Sequence, residues 1–180
     1  MKAIITDGPS CSGKSTLLKN LDGVIAISHT TRPIRPGEEN GVDYFFISED
    51  EFKRLESLNE FIEVNNIHGN LYGLTKNELL RKLATGKLVL LDVESKGLIS
   101  ILNSNILPRD KTLVVFIDCS ENECKNRMLK RDGCMNETRI KNGIIERERY
   151  IENKEFFDKY IDSTHLTPSE IRDMVLSLLL

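Results

Sequence analysis

Gly8-Pro9-Ser10-Cys11-Ser12-Gly13-Lys14-Ser15, followed by Thr16, constrains this chain more than any other stretch. A glycine, four residues and then Gly-Lys-Ser is the spacing of a loop that cradles phosphate. Ahead of it, Ala3-Ile4-Ile5-Thr6 is short, apolar and partly β-branched, which predicts a buried strand. Behind it, Ser15 to Leu21 predicts a helix with Leu17, Leu18 and Leu21 on one face. In that context the glycines let backbone N–H groups curl around phosphate oxygens, and the helix N-terminus adds positive potential at the same point. Gly8, Ser10, Cys11, Ser12, Gly13, Lys14, Ser15 and Thr16 are therefore the candidate donor-nucleotide residues. Lys14 would reach the outer phosphates and the Ser15 hydroxyl would ligate Mg²⁺. The competing reading is an ordinary glycine turn between strand and helix; the complete spacing with both neighbours in place argues against it.

The rest of the composition sets bounds. A chain of 180 residues suffices for one domain with a substantial core. Its formal charge of −3 offers no general attraction to nucleic acid. Cys11, Cys119, Cys124 and Cys134 form no Cys-x-x-Cys pair, so free thiols in a reducing compartment are expected rather than zinc. Lys2 leads straight into the first strand and its motif, so no signal peptide is expected. The apolar tail from Val175 to Leu180 is far shorter than the ~20 residues of a membrane span, and reads as the packed face of a last helix. The expectation is a cytoplasmic protein, a monomer or weak dimer, without membrane or nucleic-acid partners.

Along the chain, strands are expected at Val24–Ile27, Tyr44–Ile47, Phe61–Val64, Lys87–Asp92, Thr112–Ile117 and Tyr160–Asp162. Ser48-x-x-Glu51, Thr75-x-x-Glu78, Ser120-x-x-Glu123 and Thr167-Pro168-x-Glu170 have the form of capping boxes that open helices. Gly69–Gly73 reads as a turn, and the charges from Glu137 to Lys159 as a solvated helix face. Alternating strands and helices predict a three-layer α/β/α fold around a parallel sheet, with a small mixed lobe inserted at residues 32 to 83. Between the second and third strands, Arg32 and Arg35 stand three apart in a Pro- and Gly-rich loop. Solvated surface charge is the ordinary reading of such arginines. After a phosphate loop, the planar guanidinium fork also suits a second phosphate. Asp92 ends an apolar run, the form of a strand delivering a carboxylate to the nucleotide site; a helix cap is the alternative.

Ser28-His29-Thr30-Thr31-Arg32-Pro33-Ile34-Arg35-Pro36-Gly37-Glu38-Glu39-Asn40-Gly41-Val42-Asp43-Tyr44-Phe45-Phe46 resembles the guanylate kinases at every fixed position of that family's pattern. The likeness continues through Asn59-Glu60-Phe61-Ile62-Glu63 and Gly69-Asn70-x-Tyr72-Gly73, is dense from residue 4 to about 92, and thins afterwards. It implies a P-loop nucleoside monophosphate kinase with core segments 1–31, 84–123 and 148–180, an acceptor lobe at 32–83 and a helical lid at about 124–147. It implies transfer of the γ-phosphoryl group of ATP to GMP or dGMP with Mg²⁺. Arg32, Arg35, Tyr44 and Tyr72 would hold the acceptor phosphate, with Glu38 beside them; Ser28, Glu63 and Thr75 would meet the base. Asp92 and Glu94 would complete the acceptor site, Asp92 also toward the metal. Lys14, Arg32, Arg127 and Arg131 would carry catalysis. A carboxylate at Glu63 suits guanine, because it can accept both the ring N1–H and the exocyclic amine.

The chain departs from the family pattern in three places. Leu74 stands where a hydroxyl usually bonds the base, leaving Thr75 either as substitute or as helix cap. Glu94 stands where a second aspartate is usual. The third lid arginine falls near Asn142 or Gly143, leaving Arg139 and Arg147 as alternatives. Thr6-Asp7-Gly8-Pro9 and Ile161-Asp162-Ser163-Thr164-x-Leu166-Thr167 are similar to segments of cytidylate kinases. The rival readings are a kinase for another monophosphate such as CMP or dCMP, and a non-catalytic guanylate kinase-like binding module.

Overall fold

The computed structural model describes residues 1–67 and 69–179. Strand β1 (Ala3–Asp7) runs at the centre of a five-stranded sheet whose order is β2 (Val24–Ile25), β7 (Val89–Asp92), β1, β8 (Thr112–Asp118), β9 (Lys159–Asp162). All pairings in it are parallel. Successive side chains of a strand face opposite ways, so β1 feeds two cores. Ala3 and Ile5 join Leu74, Leu79, Leu91, Leu98, Ile101 and Val114 on one face. Ile4 joins Leu17, Leu18, Leu90, Val115, Ile117, Ile161, Ile171 and Val175 on the other. Each fully buried aliphatic side chain contributes about 1.5–3 kcal/mol of transfer free energy, and this layering holds the two sheet faces.

The helices on these faces are α1 (Lys14–Lys19), α4 (Ser95–Asn103), α5 (Glu121–Asp132), α6 (Glu137–Glu152) and α7 (Pro168–Ser177). Register places Thr6 of β1 between Asp92 and Val115, so the carboxylate ending β7 emerges beside the loop that leaves β1.

A second, four-stranded sheet has the order β4 (Phe45–Phe46), β3 (His29–Thr30), β6 (Asn70–Thr75), β5 (Phe61–Ile67), with helices α2 (Glu49–Ser57) and α3 (Lys76–Leu83). Residues Asn70–Gly73, expected as a turn, lie in strand β6. They pair antiparallel with β5, Ile67 opposite Asn70 and Asn65 opposite Tyr72. The glycine at Gly73 belongs there because a Cβ would come within 2.7 Å of the Phe61 ring and 2.9 Å of the Glu63 carbonyl oxygen.

All four expected N-caps accept an N–H from the third helical residue, at Ser48, Thr75, Ser120 and Thr167. The reciprocal carboxylate bond forms only at Thr167. Glu51, Glu78 and Glu123 turn instead to Arg54, Arg81 and Arg127 one turn along, where a charge-assisted bond is stronger than one to a neutral amide. The solvated face expected between Glu137 and Lys159 holds for much of α6 but not for Glu146, which is buried. In the tail, Val175 is buried and Leu179, past the end of α7, packs against the same core, while Leu176 and Leu178 are exposed; Leu180 lies outside the described residues.

Candidate active site

The loop between β1 and α1 takes its shape from backbone conformations that few residues tolerate. Gly8 has φ +136°, and a Cβ there would stand 2.1 Å from the Ile117 carbonyl oxygen, so only glycine lets the loop leave β1 this close to β8. Cys11 adopts φ 67°, a left-handed conformation in the middle of the loop. Lys14 Nζ folds back to donate to the Gly8 and Pro9 carbonyl oxygens at 2.6 and 3.0 Å, and stands 4.0 Å from Asp92. Ser15 Oγ donates to Asp92 Oδ2 at 3.3 Å. Arg127, from α5, clasps the loop from behind. It donates to the carbonyl oxygens of Cys11, Ser12 and Ser163 at 3.4, 3.5 and 2.7 Å, and to Glu123.

Two cavities meet at this loop. The first, about 320 Å³, is lined by Cys11 through Leu17 with Arg127, Arg131, Leu166, Pro168 and Ile171. The second, about 300 Å³, opens on the other side. Gly8, Ser10, Cys11, Lys14 and Ser15 form its loop wall, while Ser28, Arg35, Tyr44, Glu63 and Tyr72 come from the second sheet and its loop. Asp92 and Glu94 lie on its floor, and Arg131, Arg139 and Glu146 enter from α5 and α6. Cys11, Lys14, Ser15 and Arg131 face both cavities.

The expected acceptor residues do not all point inward. Arg32 is 8% exposed, and its fork is spent on Glu38 at 2.8 and 3.0 Å and on the Pro33 carbonyl oxygen. Its guanidinium carbon also lies 5.5 and 5.4 Å from the Tyr44 and Phe46 ring centroids. Glu38 therefore anchors Arg32 and, through the Arg35 N–H, the turn itself. It does not line the cavity. Thr75 is the cap of α3, and neither it nor Leu74 lines the cavity; the Leu74 side chain packs in the core. Of the two candidates for the third lid arginine, Arg147 is bound to Asp118 and to the Cys119 carbonyl oxygen, away from the cleft. Arg139 faces the cleft beside Arg131, and Asp132 holds both.

Burial governs the electrostatics of this floor. The Glu63 carboxyl is pushed up to about 7 by dehydration, opposed by the Leu74 N–H and reinforced by Glu94. Glu94 rises to about 6 for the same reason, with Glu146 adding to the rise and Arg149 resisting it. Burial pushes the Tyr44 phenol up to about 12, so it stays a donor at neutral pH. Asp92 is raised by dehydration against the pull of Lys14 and Ser15, although 36% of its side chain is open to the cleft, which moderates the effect.

Beneath the loop lies a cluster that motif and spacing did not single out. Asp7 Oδ1 accepts the Gly8 N–H at 2.6 Å, and Asp7 Oδ2 faces Ser95 Oγ at 2.5 Å. Ser95 Oγ is also 3.1 Å from Glu146 Oε2, whose other oxygen is paired with Arg149 at 2.9 Å. Asp7, Ser95 and Glu146 are 1, 2 and 6% exposed. Burial and the facing Glu146 raise the Asp7 pKa well above the usual carboxylate range. The usable signal was Asp7, a charged residue closing an otherwise apolar strand; no spacing rule pairs it with a glutamate on another helix.

A cation at Ser15 and Asp92 would find hard oxygen donors, which suits Mg²⁺. Among the described residues no group of three or more His, Cys, Asp or Glu side chains is arranged to hold a metal, so substrate phosphates would have to complete its coordination.

Comparison with known proteins supplies the family. The Guanylate kinase family model matches residues 1–173. A guanylate kinase of Fusobacterium nucleatum is 36% identical over 151 residues, covering 80% of this chain and 80% of that protein. A human guanylate kinase is 39% identical over 113 residues, covering 59% of this chain and 57% of that one. The crystal structure of guanylate kinase from Anaplasma phagocytophilum superposes with a TM-score of 0.70 at 26% identity, covering 99% of this chain and 84% of that one. With its glycine loop, parallel sheet and a second wall carrying Arg35, Tyr44 and Tyr72 across one cleft, the chain belongs to the guanylate kinase family.

Proposed function

We propose that this chain transfers the γ-phosphoryl group of ATP to GMP or dGMP, giving ADP and the nucleoside diphosphate. The observation that carries the proposal is the pair of cavities sharing Cys11, Lys14, Ser15 and Arg131. A donor in the first and an acceptor in the second would meet at one wall, where a phosphoryl group can pass in line. The acceptor phosphate oxygen forms the new P–O bond as the bond between the γ-phosphorus and the β–γ bridging oxygen of ATP breaks. No general base is required, because that acceptor oxygen is already anionic at neutral pH.

In this reading residues 32–83 form the acceptor lobe and about 124–147 the lid, on a core of 1–31, 84–123 and 148–180. Lys14 exchanges its loop carbonyls for phosphate oxygens, and Arg131 and Arg139 offset the charge that spreads over the transferring group. Arg127 acts by holding the loop in shape. Arg35, Tyr44 and Tyr72 grip the acceptor phosphate, with Arg32 reaching it only if its fork shifts from Glu38. Ser28 and Glu63 read the base. Mg²⁺ held by Ser15 and Asp92 with the ATP phosphates would supply charge neutralisation and alignment. Retention of Lys14 and Ser15 with their loop geometry favours an enzyme over a binding module.

Steady-state assays with GMP, dGMP, AMP, CMP and UMP side by side test the substrate. Turnover of GMP or dGMP above the others is expected, and no turnover of either would refute the reading. Lys14→Ala should lose transfer with its circular dichroism spectrum unchanged; an unaltered rate would contradict the mechanism.

A further inference from the structure

We propose that Asn65 is a positioning residue for base selection: it fixes the Glu63 carboxylate so that this group reads guanine and rejects other purines. The inference rests on the substrate reading above and adds to it a residue outside the family motif.

Side chains alternate along β5, so Glu63, Asn65 and Ile67 face the second cavity together. Val64 and Asn66 between them are exposed. Asn65 Nδ2 donates to Glu63 Oε2 at 2.7 Å, and the Leu74 N–H donates to Glu63 Oε1 at 3.0 Å. Among the described residues the Asn65 side chain makes no other hydrogen bond. Gly97 of α4 closes in from behind: a Cβ there would lie 3.1 Å from Glu63 Oε2 and 3.2 Å from its carboxyl carbon. The carboxylate is thus held at both oxygens and against one face.

An ionised carboxylate has about two acceptor directions on each oxygen. With one direction on each taken by Asn65 and by Leu74, one on each remains toward the cavity. Two acceptors side by side match the N1–H and exocyclic N–H of guanine. Hypoxanthine offers only the first of these, and adenine presents an acceptor at N1 that the carboxylate repels. Leu74 contributes a backbone N–H and no side-chain donor, so among the described residues the amide of Asn65 is the one side-chain hydrogen bond that holds Glu63 in register.

The test uses the full chain with ATP and GMP, IMP or AMP. Asn65→Ala should raise the KM for GMP roughly tenfold, as expected for losing a hydrogen bond to a charged group. The KM for ATP should stay near wild type, and the GMP-over-IMP preference should shrink. Asn65→Asp keeps the shape and replaces the donor with a like charge, so it should lose at least as much. In a Glu63→Gln background the Asn65→Ala change should cost almost nothing further, since the carboxylate it positions is gone. A purely structural role would instead give equal losses in both backgrounds, or recovery in Asn65→Asp, and either result overturns the proposal. Unchanged KM and GMP-over-IMP ratio in Asn65→Ala, with wild type using GMP, refutes this inference alone. A wild type that cannot use GMP refutes the substrate reading, and this inference with it. Should Asn65→Ala melt early, Asn65→Asp and the Glu63→Gln cycle decide on their own.

Discussion

Replacing Asp7 by asparagine should stabilise the protein at neutral and alkaline pH, and the gain should disappear in acid. Ser95 has a single hydroxyl hydrogen and two carboxylate oxygens to serve, Asp7 Oδ2 and Glu146 Oε2. Arg149 pairs with Glu146 on its far oxygen. When Asp7 is ionised, one of the two buried acceptors facing Ser95 lacks its hydrogen bond. Leaving a buried polar group unsatisfied costs about 1–3 kcal/mol, more when it is charged. A proton on Asp7 relieves this: Asp7 donates to Ser95, Ser95 donates to Glu146, and Arg149 offsets the remaining charge. Burial and Glu146 raise the Asp7 pKa for the same reason, against Ser95, Lys14 and the Gly8 N–H.

Between the unfolded aspartate pKa and this raised folded value, the native state binds more protons than the unfolded chain. Stability therefore falls as pH rises through that window and stays lower above it. In the Asp7→Asn variant the new side chain would imitate the protonated form at every pH, its oxygen still accepting the Gly8 N–H and its amide donating to Ser95. Urea unfolding at pH 5, 6.5 and 8 measures the effect. A gain of roughly 1–3 kcal/mol is expected at pH 8, shrinking steadily toward acid. A variant less stable than wild type at pH 8, or a gain that does not vary with pH, would refute the hydrogen count at Ser95.

Two further substitutions separate folding from function. Gly8→Ala would drive a Cβ to 2.1 Å from the Ile117 carbonyl oxygen at φ +136°. Denaturant unfolding should show a loss of about 3 kcal/mol or more, and ATP binding by calorimetry should fall with it; a variant as stable as wild type would show that the loop can leave β1 another way. Gly97→Ala should behave differently. Helix propensity favours alanine by up to about 1 kcal/mol, but its Cβ lies 3.1 Å from Glu63 Oε2, so the carboxylate must shift. Melting temperature should hold near wild type while the KM for GMP rises; an unchanged KM would mean that the position of Glu63 does not matter.

Much of this protein was legible in its sequence because the relevant forces act locally. The phosphate loop needs glycines at fixed positions between a strand and a helix, and those show in a short stretch. The buried strands around Val89–Asp92 and Thr112–Asp118 announced themselves as apolar runs, and four of the N-caps as a Ser or Thr three residues ahead of a glutamate. The hairpin at Asn70–Gly73 was misread as a turn because two glycines hid a strand that exists through its pairing with β5.

Motif identity placed Arg32, Glu38 and Thr75 in one site, but it could not say which way each side chain points. Arg32 turns to Glu38 and Thr75 to its helix, because the nearest strong partner wins each time. Residue identities and spacing alone pointed to a phosphate-binding α/β chain, and the resemblance to guanylate kinases is what marked arginines and tyrosines for a second anion. Tertiary structure alone decided that Glu146 lies under the loop against Asp7, and that Gly97 of α4 backs the Glu63 carboxylate. Such contacts depend on how strands from two sheets and a helix late in the chain converge. A buried charge takes its meaning from whatever neighbour the fold brings within hydrogen-bond reach, and no local pattern records that.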